Sequence, residues 1–298
     1  MMQLTQIKEG SPRWMKDAAD SMTRAYAQGT GRSRPAPDFL IIGTKRGGTT
    51  SLFNYLLMHP GVLGLFPQLR GRKSTDYFFK ERTRGDHWYR SHFHTESYRK
   101  LSALRLGYRP ISGEASPYYQ WDPRVAEQVR ELNAGTKAIA LLRDPVERAW
   151  SHHQERVHNG VEPLGFEAAL EAEETRLEGE MEKMLADPDY YSSAHDFYAY
   201  RNRGIYLPQI QNWYASFPQK QLLVLRSEDM YQDAQGIFDV VCDFLEIPQW
   251  TLPDTRVFNA ITTSKIPQGT RAALADFYAP HNAALASYLG REPLWPGA

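Results

Sequence analysis

Residues 38–61 read DFLIIGTKRGGTTSLFNYLLMHPG, and this stretch decides the fold. The run from Phe39 to Ile42 is short, wholly apolar and followed by Gly43, as expected of a strand that is buried on both faces of a parallel sheet. Residues 51–58 are rich in helix formers, and the proline and glycine at positions 60 and 61 end that helix. The stretch therefore predicts a strand, a glycine-rich loop and a helix in direct succession.

The same strand-then-helix pattern occurs twice more along the chain. Residues 137–142, KAIALL, predict a second buried strand, after which Asp144 is placed to cap a helix that begins at Pro145 and runs to about residue 160. Residues 221–226 predict a third strand between helices at 206–217 and 234–245. Strands that alternate with helices are typical of the α/β class, so we expect one domain with a central parallel sheet flanked by helices.

Two further helices are predicted outside these units. Residues 166–184 form an acidic, alanine-rich pattern with solvated glutamates, to which we assign no chemistry. Residues 269–289 carry an apolar stripe at helical spacing, although Pro280 is expected to kink or split that helix. The domain is expected over residues 37–298, preceded at 1–36 by a polar N-terminal arm and linker.

The composition argues against several classes of protein. The 298 residues carry 35 Lys+Arg and 35 Asp+Glu, so the formal net charge is zero, which excludes a generally polybasic nucleic-acid-binding protein. We see neither the apolar core of a signal peptide nor an apolar run as long as a membrane span. Cys242 is the only cysteine, which favours a reducing compartment, and we therefore expect a cytoplasmic protein.

The glycine-rich loop after the first strand has the composition of an anion site, because glycines let backbone N–H groups approach a phosphate and a helix start adds positive potential. The candidate ligands in the loop are Lys45, Arg46, Gly47, Gly48, Thr49, Thr50 and Ser51. The spacing from Gly43 to Gly48 matches a Walker A loop, but Thr49 stands where that loop needs lysine, and the dinucleotide fingerprint GxGxxG is absent. A tight turn before a helix is the structural alternative, but two adjacent cations favour an anion site.

A second cluster lies at residues 143–151, RDPVERAWS. Arg143 leaves the carboxyl end of its strand, while Arg148 and Ser151 lie one turn apart on the helix that follows. Ligands of open parallel sheets bind outside the carboxyl ends of the strands. We therefore expect Arg143 and Ser151 to hold a second phosphate near the first.

These two motifs resemble those of the sulfotransferases that use 3′-phosphoadenosine 5′-phosphosulfate (PAPS). In that family a K/R-x-G-T-T loop holds the 5′-phosphosulfate and an R-D-P-x-x-R-x-x-S segment holds the 3′-phosphate; here they read RGGTT at 46–50 and RDPVERAWS at 143–151. The likeness is nearer to heparan-sulfate-type and bacterial members than to the cytosolic phenol sulfotransferases. It extends from about residue 37 to 295 and includes KSTDYFF at 73–79 and GEASPY at 113–118. It implies a P-loop-like sulfotransferase fold for the domain at 37–298.

The resemblance also implies roles for the motif residues. It implies that Lys45, Arg46 and the amides of Gly47 and Gly48 stabilise the leaving group, that Thr49, Thr50 and Ser51 donate to the 5′-phosphate, and that Arg143 and Ser151 hold the 3′-phosphate, with Gly269, Thr270 and Arg271 closing over it. Arg46 stands where many members carry lysine. Because arginine is a poor proton donor, Lys45 is the candidate donor if it reaches the leaving group.

The acceptor hydroxyl needs a general base, and here the sequence departs from the family. Heparan-sulfate-type members carry an acid three residues before the Phe-Phe pair, a place taken by Thr75 in this chain. The adjacent Asp76 is the leading candidate base, and Glu114 is the second, with a purely structural carboxylate as its alternative. For His152 and His153, which follow Ser151, surface or packing roles are favoured.

The resulting prediction is a PAPS-dependent sulfotransferase that moves a sulfuryl group by in-line displacement to a hydroxyl of a small-molecule, lipid, carbohydrate or natural-product acceptor. It releases 3′-phosphoadenosine 5′-phosphate (PAP) and needs no metal, since the cationic side chains take that role. Two alternatives stay open: a P-loop kinase with a degenerate loop, and a non-catalytic phosphate- or sulfate-binding module. A neutral chain favours a small acceptor over a long polyanion. The sequence does not determine the oligomeric state.

Overall fold

Five parallel strands form one sheet within the residues that the computed structural model describes, 13–66, 72–258 and 265–295. The strands are β1 (Phe39–Gly43), β2 (Val62–Leu63), β3 (Ile111–Ala115), β4 (Lys137–Leu142) and β5 (Leu222–Arg226). Their order across the sheet is β2-β3-β1-β4-β5, so β1 lies at the centre between β3 and β4. The predicted α/β class with a central parallel sheet is confirmed.

Both faces of the sheet are buried. Alternate residues of a strand point to opposite faces, so Leu40 and Ile42 join one apolar core and Phe39 and Ile41 join the other. The second of these cores includes Leu52 of the helix that follows β1. Because neither face meets water, the strands are continuous apolar runs in the sequence, which is why the pattern revealed them.

Helices cover both faces of the sheet. In chain order they are α1 (Arg13–Gly29), α2 (Thr49–Met58), α3 (Gly85–Arg90), α4 (Glu96–Leu106), α5 (Val125–Leu132), α6 (Pro145–His158), α7 (Phe166–Leu177), α8 (Glu180–Ala186), α9 (Ser193–Phe197), α10 (Tyr206–Ser216), α11 (Ser227–Gln232), α12 (Ala234–Leu245) and α13 (Gln268–Leu289). In the described part of the chain, none of them combines the length and the apolar character needed to cross a bilayer.

The start of α6 follows from its first residues. The Asp144 carboxylate accepts a hydrogen bond from the Val146 N–H at 2.8 Å, and Pro145 occupies the first turn, where its missing N–H does no harm. This is the predicted cap. It fixes the point at which the chain leaves β4 and turns into the helix that carries Ser151.

Two helix predictions were wrong in detail. The single helix expected at 166–184 is divided into α7 and α8 at Gly179, whose φ is +72°. The glutamates of this segment are not all solvated either, because Glu173 is fully buried and accepts hydrogen bonds from the backbone N–H groups of Arg201 and Asn202 at 2.6 and 2.7 Å. Its carboxylate thereby holds the short segment before α10.

The last helix, α13, continues through Pro280 without being split. Packing on both sides of the proline explains this. Tyr278 is fully buried and its hydroxyl donates to the Arg201 carbonyl at 2.7 Å, while Leu285 is buried about two turns later. These contacts hold both halves against the body, and tertiary packing outweighs the helix-breaking tendency of proline.

The predicted linker before β1 packs on the domain. Arg34 is buried; its Nε donates to the Thr30 hydroxyl at 2.9 Å and its Nη1 donates to the Phe93 carbonyl. Residues 1–12 of the predicted arm lie outside the described residues. The boundary at residue 37 remains a prediction.

Candidate active site

The loop from β1 to α2 is shaped by two glycines that have no room for a side chain. Gly48 precedes α2 with a φ of +85°, and a Cβ there would lie 2.7 Å from the Tyr231 hydroxyl oxygen. A Cβ on Gly47 would lie 2.4 Å from the Leu141 carbonyl oxygen. The loop is thus pressed against the end of β4, and the first turn of α2 opens beside it.

An open pocket of about 420 Å³ lies at the carboxyl ends of β1 and β4. Its lining comprises Lys45, Arg46, Gly48, Thr49, Thr50, Lys73, Pro117, Arg143, Ser151, Glu155, Tyr231, Val257 and Phe258. Among the described residues of this lining, four cations face one carboxylate, and several hydroxyls stand between them. Such a set of donors suits a ligand with more than one anionic group.

Lys45 and Arg46 lie on either side of the pocket carboxylate, Glu155. The Lys45 Nζ is 3.6 Å from Asp196 Oδ1 and 3.9 Å from Glu155 Oε2, and burial lowers the pKa of Lys45 to about 8. Arg46 adopts a left-handed backbone, with φ +68°, and its Nε donates to the Ser151 hydroxyl at 3.0 Å. This bond joins the loop to α6 and aligns the two predicted motifs.

Lys73 is a pocket residue that sequence reasoning missed. Its Nζ donates to the hydroxyls of Thr50 and Thr49 at 2.9 and 3.2 Å, and burial lowers the pKa of Lys73 to about 8. The only signal in the sequence was its position at the start of KSTDYFF, a segment that carried the family resemblance. No spacing rule connects that segment to the loop.

Arg143 lies where its place after β4 predicts. Its Nη1 donates to the Arg46 carbonyl at 3.1 Å, and its Nη2 is 4.0 Å from Glu147 Oε2. Arg271, at the start of α13, forms an ion pair with the other oxygen of Glu147. Glu147 therefore links Arg271 to Arg143, although Gly269, Thr270 and Arg271 lie outside the pocket lining.

Ser51 lies beneath the pocket instead of lining it. The side chain is fully buried, and its Oγ accepts a hydrogen bond from the Phe258 N–H at 3.0 Å. Ser51 thereby anchors the segment whose Phe258 ring lines the pocket. The structure does not bring its hydroxyl together with those of Thr49 and Thr50.

The two predicted bases lie outside the lining as well. Glu114 is fully buried, with Oε2 accepting from the Thr75 N–H at 2.6 Å and Oε1 accepting from the hydroxyls of Tyr119 and Tyr89 at 2.8 and 2.9 Å. Burial raises the pKa of Glu114 to about 7. The Asp76 carboxylate is half-buried and accepts from the Ser74 hydroxyl at 2.5 Å.

The side chains that follow Ser151 on α6 divide between core and pocket. His152 is fully buried with its ring near that of Tyr200, and His153 Nε2 lies 2.9 Å from the Leu164 carbonyl oxygen, in agreement with the predicted packing roles. Glu155, one turn beyond Ser151, lines the pocket. It is the second functional candidate that sequence reasoning missed.

A parallel sheet with a glycine-rich loop after its central strand, and an arginine at the neighbouring strand end, is the architecture of the P-loop-like class. Residues 36–275 match the family described as the sulfotransferase domain, and the chain belongs to that family. The predicted resemblance is confirmed, and the interpretation as a sulfotransferase is favoured over that as a kinase with a degenerate loop.

Relatives with known names agree with this assignment. The chain is 25% identical to the membrane-associated sulfotransferase kil1 of Dictyostelium discoideum over 87% of its own length and 66% of that protein. It is 28% identical to the human heparan sulfate glucosamine 3-O-sulfotransferase 3B1 over 74% of its own length and 48% of the human protein. Thus the chain spans less than two thirds of either relative.

A solved structure supports the fold. The sulfotransferase from Alicyclobacillus acidocaldarius aligns with 86% of this chain and 96% of its own, at a TM-score of 0.61 and 25% identity. The P-loop-like sulfotransferase fold predicted from the two motifs is therefore confirmed.

Proposed function

We propose that this protein transfers a sulfuryl group from PAPS to a hydroxyl of a carbohydrate or other small acceptor and releases PAP. The observation that carries the proposal is the pocket itself. Lys45, Arg46, Lys73 and Arg143 converge there from three separate segments, beside the start of α2. A ligand with anionic groups at two points, such as PAPS, matches this distribution of charge.

The residues present fit such a donor. The Gly47–Gly48 turn has no room for a Cβ against Leu141 and Tyr231, and the hydroxyls of Thr49 and Thr50 lie at the start of α2. Arg143 and Ser151 would hold the 3′-phosphate, and Lys45, Arg46 and Lys73 would hold the 5′-phosphosulfate. PAPS supplies the sulfuryl group in an activated form, as a phosphosulfate anhydride.

The chain's own groups can stabilise the charge that develops on a leaving phosphate. Arg46 stays protonated and keeps its direction through the bond to Ser151. Burial lowers the pKa of Lys45 and that of Lys73 to about 8. Each lysine is therefore charged at neutral pH and is also able to give up its proton close to that pH. We therefore assign the stabilisation of the leaving phosphate to one arginine and two lysines.

The proposed class of acceptor rests on the names of the relatives and not on the pocket. The human relative is named for O-sulfation of a glucosamine, which supports a carbohydrate hydroxyl for this chain. A cytoplasmic location remains our proposal, supported by the single, buried Cys242.

Calorimetric binding of PAP tests the proposed function. We expect metal-independent binding to the wild type, weakened at least about tenfold by Arg143→Ala because a charge-assisted contact is removed. Arg105→Ala, an exposed arginine on α4, is the matched control and should bind as the wild type does. Absence of PAP binding, or displacement of PAP by magnesium-ATP at equal concentration, would overturn the proposal and favour the kinase.

A further inference from the structure

Glu155 is the one carboxylate in the lining of the donor pocket, as far as the described residues show. It lies on α6, one turn after Ser151, and so shares a helix face with the residue that Arg46 contacts. Its oxygens lie 3.9 Å from Lys45 Nζ and 4.0 Å from Arg46 Nη1. An acid therefore lies among the cations that the proposed function assigns to the 5′-phosphosulfate of the donor.

One oxygen of Glu155 has spare capacity to accept a hydrogen bond. Oε2 is buried and accepts no hydrogen bond from any described residue, although it forms an ion pair with Arg156, whose Nη2 lies 3.2 Å away. An ionised carboxylate can accept about four hydrogen bonds, and leaving a buried acceptor unpaired is costly. The free oxygen therefore favours a ligand that brings a donor, and an acceptor hydroxyl is such a donor.

The other acids near the site, Glu114, Asp76 and Asp196, already accept hydrogen bonds. Glu114 accepts from three donors within the core, and rotating it into the pocket would leave the hydroxyls of Tyr89 and Tyr119 without that acceptor. Asp76 accepts from the Ser74 hydroxyl and Asp196 from the Tyr191 hydroxyl, and both lie outside the pocket lining. Of these acids, Glu155 alone lines the pocket.

We propose that Glu155 is the general base for the acceptor, an inference that rests on the proposed function. The O–H bond of the acceptor breaks and its proton passes to Glu155 Oε2, while the hydroxyl oxygen forms the new bond to sulfur. The bond from sulfur to the 5′-phosphate oxygen breaks, and its electron pair stays on that phosphate. Lys45, Arg46 and Lys73 stabilise the charge left there.

The test combines a binding readout with a rate readout. PAP affinity is measured by calorimetry, and PAPS consumption is followed with water and with simple sugars as acceptors. Glu155→Gln should keep the PAP affinity or strengthen it, because an acid that competes for Lys45 and Arg46 is removed. Its rate should fall about 100- to 10,000-fold, the usual contribution of a general base. Glu174→Gln, an exposed glutamate on α7, is the matched control.

A second variant separates chemistry from folding. Glu155→Ala should lose the same activity and regain part of it with added formate, a small carboxylate that fits the space left by the side chain. A Glu155→Gln rate within threefold of the wild type, or an equal loss in Asp76→Asn without loss in Glu155→Gln, would overturn the inference alone. Failure of the wild type to bind PAP, or binding without any turnover of PAPS, would instead overturn the proposed function.

Discussion

The donor side and the acceptor side of the pocket are built in different ways. The donor side consists of two continuous segments, the loop from β1 to α2 and the turn from β4 to α6, in which backbone geometry and neighbouring side chains act together. The proposed acceptor side depends on one side chain, Glu155 of α6, while Lys73 reaches the donor side from a separate segment. Local motifs can therefore reveal the first side but not the second.

The difference has a physical origin. A phosphate is bound by several N–H groups and a helix start at once, which forces glycine at fixed positions and leaves a sequence signature. A proton acceptor needs only one carboxylate within reach, and many positions can supply it. In this chain Thr75 stands three residues before the Phe-Phe pair, and the proposed base, Glu155, lies on α6.

We expect the largest loss of PAP binding from a substitution at Gly48. Gly48→Ala places a Cβ 2.7 Å from the Tyr231 hydroxyl in a left-handed turn, so we expect PAP binding to weaken more than about 100-fold as the loop shifts. Gly107 also has a positive φ, +81°, but nothing lies within 4 Å of its Cβ position. Gly107→Ala should therefore lose only about 1–2 kcal/mol of unfolding free energy. Equal PAP affinities in Gly48→Ala and Gly107→Ala would contradict the conclusion that the loop needs a residue without a side chain at position 48.

The next effect concerns Lys73. Lys73→Met removes a buried charge that donates to Thr49 and Thr50, and PAP affinity should fall about 10- to 150-fold, the equivalent of one charge-assisted contact. Lys80→Met is the matched control, because that lysine is exposed and lies over the Tyr191 ring. If calorimetry gave the same PAP affinity for Lys73→Met as for the wild type, Lys73 would have no part in donor binding.

The pH dependence of PAP binding should reflect the same lysines. Lys45 and Lys73 are charged below about pH 8 and lose their protons above it, so affinity should decline as the pH rises through that value. The decline approaches tenfold per pH unit for each lysine that must be protonated. Calorimetry over this range with a Lys45→Arg, Lys73→Arg double variant should give a flat profile, since arginine stays charged. A wild-type profile as flat as that of the double variant would rule out these two groups.

The smallest expected effect is the difference in PAP affinity between Thr50→Ala and Ser51→Ala. Thr50→Ala removes a hydroxyl in the pocket lining and should weaken PAP binding about fivefold. Ser51→Ala breaks the contact with the Phe258 backbone and should lower the unfolding free energy by about 1 kcal/mol while PAP affinity changes less than twofold. The reverse pattern in calorimetry and urea unfolding would return Ser51 to the 5′-phosphate role that the family resemblance implies.

Much of the fold could be predicted because its signals are local. The apolar runs of β1, β4 and β5 and the Asp144 cap of α6 are each contained within a few consecutive residues. The predictions that failed, a single helix at 166–184 and a split of the last helix at Pro280, were decided by distant contacts. Glu173 caps the backbone at Arg201, and Tyr278 bonds to the carbonyl of the same residue.

The motifs in the sequence were enough to predict the class of the protein and the donor side of its pocket, because backbone-driven phosphate sites require particular residues at particular spacings. Only the tertiary structure brought Lys73 and Glu155 to that pocket and placed Glu114 in the core. These three residues are separated along the chain, and which of them meets the pocket depends on how strands and helices pack. The sequence shows which residues are charged, but the packing of the fold decides which way each charged side chain points.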